Sequence, residues 1–79
     1  MNTANAFTIT VDGEVLEITE HELTPAAIMS RAGIDPTTHY LLEIRGHERV
    51  PLEGKNDLPI HIHEKLQLVS VNTGPKPVS

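Results

Sequence analysis

The stretch Phe7-Thr8-Ile9-Thr10-Val11-Asp12-Gly13-Glu14-Val15-Leu16-Glu17-Ile18 decides how the rest of this chain is read. Apolar residues at 7, 9 and 11 alternate with threonine, the period-two pattern of a half-buried strand, and β-branched side chains follow Phe7 throughout. Asp12-Gly13 suits the positive φ values of a two-residue hairpin turn. Glu14 to Ile18 then returns with Leu16 and Ile18 toward the side that Phe7, Ile9 and Val11 face. Residues 7–18 therefore read as a β-hairpin with one apolar face, and that face needs a cover.

The sequence supplies the cover next. Thr24-Pro25 is an N-cap followed by a proline at the first helical position, where its missing N–H costs nothing. Ala26 to Ala32 are good helix formers, Gly33 suits a left-handed cap, and Ile34 can fold back onto the last turn. A helix over 25–32 is too short to be stable alone in water, so burial of Ile28, Met29 and Ala32 against the sheet has to hold it.

Past the turn residues Asp35-Pro36-Thr37-Thr38, the segment Tyr40-Leu41-Leu42-Glu43-Ile44-Arg45 reads as a third strand. Tyr40, Leu42 and Ile44 are assigned inward, and Leu41, Glu43 and Arg45 outward. Arg49-Val50-Pro51-Leu52 reads as a short strand that Pro51 confines to an edge. Glu53 to Pro59 is a loop, and Lys65 to Val71 is the last strand. The order is ββαβ(β)β, an α+β chain. Residues 1–6 and the proline-containing tail 72–79 lack periodicity and are expected to be disordered, leaving one domain over 7–71.

Composition limits what such a domain does. The 79 residues suffice for a single small core, and without cysteine there is no disulfide or thiolate zinc site to reinforce it. Phe7 and Tyr40 are the only aromatics, so the core has to be aliphatic. The net charge of −5 disfavours nucleic acid and anionic membrane as partners. Asp12, Glu14, Glu17, Glu20 and Glu22 fall in a stretch without Lys or Arg, which marks one edge as negative. No apolar run reaches the roughly 18–20 residues of a membrane span, and Met1 to Ala6 lack the features of a signal peptide. The expected location is the cytoplasm.

The residues bear on three site chemistries. His61-Ile62-His63 would place two imidazoles on one face of an extended chain, but two ligands leave a metal's coordination open, and solvated histidines flanking Ile60 and Ile62 are the preferred reading. No metal and no cofactor are expected. Catalysis is disfavoured by the lack of a cysteine, a Gly-x-Ser-x-Gly elbow or a phosphate-binding glycine loop, so the chain is not expected to be an enzyme. The third chemistry is protein contact. Leu41 and Val69, with Val71 and Val15 as further outward residues, form an apolar centre whose polar rim is Glu43, Arg45 and Gln67. Scattered surface apolar residues account for the same pattern equally well.

Particular residues carry a likeness that periodicity does not. Ile9-Thr10-Val11-Asp12-Gly13, Leu23-Thr24-Pro25-Ala26-Ala27-Ile28, Ala32-Gly33-Ile34-Asp35-Pro36 and Tyr40-Leu41-Leu42 are similar to the bacterial multiubiquitin-type domains of the ubiquitin superfamily. The resemblance covers residues 7–71. It implies a β-grasp fold: a mixed four- to five-stranded sheet crossed by one short helix, with the first and last strands parallel at its centre. It also implies a role as a modifier or protein-interaction module in a bacterial ubiquitin-like pathway, with activating enzymes, conjugating enzymes or deconjugating metalloprotease-like proteins as partners. The chain holds one copy, and its tail carries a single Gly74 followed by Pro75 where ubiquitin and the sulfur carriers end in two glycines. Gly74 is thus the conjugation candidate, and transfer through its carboxylate requires the chain to be trimmed there. The alternative is a small β-grasp carrier, either of sulfur or of a metal or ligand held by the surface histidines.

Overall fold

The structure is a computed structural model and describes residues 6–73. The hairpin forms as its pattern demands: β1 (Phe7–Val11) and β2 (Glu14–Ile18) pair antiparallel with Val11 opposite Glu14. Asp12 and Gly13 make the turn with φ of 54° and 83°. Asp12 has a second task that turn chemistry does not announce. Its Oδ1 accepts from the Ser70 amide at 2.8 Å and its Oδ2 from the Ser70 hydroxyl at 2.7 Å, which fastens the hairpin to the last strand.

A two-residue strand β3 (Glu22–Leu23) leads into helix α1 (Pro25–Arg31). Thr24 caps it by accepting from the Ala27 amide at 3.1 Å. At the other end Gly33 takes φ 79°, and the amides of Gly33 and Ile34 donate to the carbonyls of Ser30 and Met29, the paired hydrogen bonds of a Schellman cap. Strands β4 (His39–Arg45) and β5 (Glu48–Pro51) form the second hairpin. The chain closes through β6 (Ile60–His61) and β7 (Gln67–Asn72).

The main sheet is mixed, with the order β2-β1-β7-β4-β5. First and last strands lie side by side at its centre and run parallel, Thr10 beside Gln67 and Val11 beside Leu68. Strands β3 and β6 make a separate two-stranded ladder. The described residues therefore form a small α+β fold with a mixed five-stranded sheet and one short helix. No helix among the described residues is long and apolar enough to cross a membrane.

The core lies between the sheet and α1. Ile9, Val11, Ile18, Ile28, Met29, Leu41, Leu52, Ile62, Leu66 and Leu68 are buried there, an all-aliphatic set. Leu41 corrects the expected facing of the third strand. It is fully buried on the helix side, so Tyr40, Leu42 and Ile44 face the other way. Ladder partners share a face, and Glu43 lies opposite the buried Leu68, which fixes the parity of the whole strand.

Smaller differences have local causes. The helix ends at Arg31, and β7 runs from Gln67 to Asn72 instead of 65–71. Lys65 has φ 69° and so cannot belong to a strand. Of the segments expected to be disordered, Ala6, Asn72 and Thr73 are described, and Asn72 belongs to β7. Residues 1–5 and 74–79, including Gly74, lie outside the described residues.

Candidate functional site

One face of the sheet carries α1, and no element among the described residues covers the other. On that open face Tyr40 lies opposite Val71, Leu42 opposite Val69, and Ile44 opposite Gln67. Pairing with β5 adds Pro51 beside Leu42 and Arg49 beside Ile44. The result is an apolar strip of Tyr40, Leu42, Val69 and Val71. Val69 is 38% exposed and the others are half-buried. Arg49 and Gln67 border it, and a shallow depression of about 390 Å³ lined by Thr8, Thr10, Lys65 and Gln67 adjoins it.

The five residues expected to form one patch are divided between two faces. Gln67 and Val69 lie on the open face. Leu41 sits in the core, and Glu43 is 8% exposed on the helix side, so neither forms part of a binding surface on the open face. Arg45 shares their parity: its Nε and Nη2 donate to the two Glu43 carboxylate oxygens at 3.1 and 3.3 Å. This fork stabilises the charged guanidinium and raises the Arg45 pKa further above its ordinary value. Val71, expected to face outward, lies there, and Tyr40, Leu42 and Ile44 take the place of the misassigned residues. The only sequence signal for them was that Tyr40 to Ile44 is apolar at both parities. Cross-strand register, which no single segment contains, was needed to choose between them.

The histidines are not gathered into one site. His61 Nδ1 is 3.6 Å from Glu22 and His63 Nε2 is 3.9 Å from Glu43, so the two imidazoles face different carboxylates. Among the described residues no group of three or more His, Cys, Asp or Glu is placed to hold a metal ion. A groove of about 360 Å³ on the helix side is bordered by Glu43, Arg45, Lys55, His61 and His63 over Val50, Leu52 and Ile60.

The strip lies along β7, and β7 leads toward Gly74. The last described residue, Thr73, donates its amide to the Thr38 carbonyl at 2.7 Å and holds the end of that strand against the start of β4. An apolar centre with a polar border on a rigid sheet can bury against another protein, since shape and desolvation then act together. No protein-family model matches this chain, and neither does any curated protein or any solved structure.

Proposed function

We propose that this chain is a β-grasp protein of the ubiquitin-like kind, acting in the cytoplasm as a modifier or protein-interaction module of a bacterial ubiquitin-like pathway, and not as an enzyme. Its partners are proteins of that pathway: activating, conjugating or deconjugating components. The observation that carries the reading is the open face of the sheet, where Leu42 and Val69 form the centre of an apolar strip on β4 and β7. The central parallel pair and the single helix on the opposite face agree with a β-grasp. Function then rests on two features of one strand: β7 supplies part of the contact surface and carries the tail with Gly74.

The test uses the full-length chain in its native cells. Covalent cross-linking followed by mass spectrometry should recover partners with the wild type and lose them with Leu42→Asp plus Val69→Asp, while the thermal midpoint stays close to wild type. Recovery of the same partners by the double variant would sink the open-face reading. The intact mass of the protein and its adducts separates the two roles. A lysine adduct ending at Gly74 identifies a modifier, whereas chains that all end at Ser79 leave the binding role alone.

A further inference from the structure

Among the described residues both outer strands of the main sheet have a free edge, and the two edges differ in charge. The amides of Thr8, Thr10 and Asp12 are turned away from β2: they donate to Glu64 Oε1 and to the carbonyls of Leu66 and Leu68. Those of Phe7, Ile9 and Val11 therefore meet Ile18, Leu16 and Glu14, and by alternation the main-chain groups of Val15 and Glu17 point outward from β2. On the other side the Leu52 amide donates to the Leu41 carbonyl at 2.8 Å, so Val50 faces β4 and the main chains of Arg49 and Pro51 point outward. Among the described residues β2 pairs only with β1, and β5 only with β4.

Side chains follow the same logic. Val15 and Glu17 lie on the open face, as do Arg49 and Pro51. Val15 is 64% exposed, more than any other large hydrophobic residue among those described. Neither Glu17 nor Arg49 has an ion-pair partner among the described residues.

We propose that these edges recognise each other between copies of this chain, β2 of one copy pairing antiparallel with β5 of the next, with Glu17 opposite Arg49, Leu16 opposite Val50 and Val15 opposite Pro51. One register satisfies both faces. It joins a carboxylate to a guanidinium and Val15 to Pro51 on the open side, and sets half-buried Leu16 against half-buried Val50 on the helix side. Glu17 and Arg49 exchange two main-chain hydrogen bonds, and Val15 donates a third to Pro51, which has no N–H to return.

Like edges do not serve as well. Two copies of β2 would join strands that each carry Glu14 and Glu17 and no cation, and two copies of β5 would pair strands whose proline cannot donate. Because the complementary edges lie on opposite sides of one sheet, the contact is head-to-tail: two joined copies still leave one edge of each kind free, and further copies add to them. A contact of three residue pairs per strand belongs to the weak, transient class.

Sedimentation velocity on the full chain, from micromolar to millimolar protein, tests this. Weight-average mass should rise continuously without levelling at a dimer, and in NMR spectra the amides of Val15, Glu17 and Arg49 should shift with concentration. Glu17→Arg and Arg49→Glu should each weaken association by about tenfold, because each sets like charges opposite one another. Mixing the two variants should restore it, since every contact between unlike variants joins opposite charges. Asp57→Arg changes net charge as Glu17→Arg does, in the loop beside Pro36 and Thr37 six residues past Pro51, and should not weaken association. A chain that stays monomeric at millimolar concentration, a plateau at dimer, concentration-dependent shifts confined to other strands, or failure of the mixture to recover each overturns the proposal.

Discussion

On the helix side of the sheet, Ile9, Val11, Leu41 and Leu68 are closed off from solvent, whereas Leu42 and Val69, one position along two of the same strands, look out from the open side. Both faces of β4 are apolar, so hydrophobicity alone does not say which is core. The difference comes from α1 and from the segments carrying Leu52, Ile62 and Leu66, which close over one face only. An apolar residue that folding leaves uncovered is available for a partner, and one that folding covers is not. Sequence periodicity cannot make that distinction when neighbouring residues are both leucine.

The largest expected effect tests this contrast directly. Leu41→Asp should leave the chain unfolded, because an unpaired buried carboxylate costs several kcal/mol in a domain whose whole stability is of that order. Leu42→Asp with Val69→Asp should stay folded, with a urea midpoint near wild type. Folded Leu41→Asp protein with unfolded double variant would reverse the facing of the strand. A milder pair grades the contrast: Leu41→Ala should lose about 2–5 kcal/mol of unfolding free energy, and Leu42→Ala clearly less, since no closed cavity forms on an open face.

Much of this frame was legible in the chain. Asp12-Gly13 marked the turn of the first hairpin, and Thr24-Pro25 with Gly33 marked both ends of the helix, because caps and tight turns are local and each residue acts through its own backbone. The facing of β4 was not legible. Glu43 read as an outward residue by charge, yet it occupies a helix-side position beside Leu68 and Val50, where Arg45 neutralises it. Strands β3 and β6, two residues each, are too short to show any period. The candidate site inherited the error, since three of its five expected residues depended on that parity, while Gln67 and Val69 on β7 were placed correctly.

Glu43 makes the next test, smaller in size. Among the described residues it is the one buried charged side chain, set within an aliphatic core. The Arg45 side chain is 61% exposed, so an apolar residue of similar volume at 43 leaves no charge stranded in the interior, and the desolvation cost of the carboxylate disappears along with the attraction. Glu43→Met should therefore change unfolding free energy by no more than about 1 kcal/mol, in either direction. A loss above about 2 kcal/mol, read from urea titration, would mean that the Glu43–Arg45 fork is a net contributor to the fold and that this face is less purely hydrophobic than its neighbours suggest.

The smallest effect concerns what keeps the helix on its side of the sheet. Glu20, in the connection after β2, accepts from Arg31 Nη2 at 2.6 Å and Nη1 at 3.0 Å, which ties the last turn of α1 to the end of the first hairpin. The hydrogen bond from Arg31 is the main cause that lowers the Glu20 carboxyl from 4.5 to about 2. A carboxyl whose folded pKa is depressed adds stability that is fully present above its unfolded value, and that contribution fades as pH falls from about 4.5 through about 2. Arg31→Met removes the partner and with it this dependence. Urea midpoints of the two proteins should differ most near neutral pH, with wild type the more stable, and should converge as pH falls toward 2. Asp35, whose carboxyl Thr37 also lowers, titrates in both proteins and cancels from the difference. Both partners are solvent-exposed, so the gap should be small and should narrow further in high salt. A gap independent of pH would show that Arg31 acts through packing of its aliphatic stem on the helix, and that the carboxylate plays no part in holding the covered face closed.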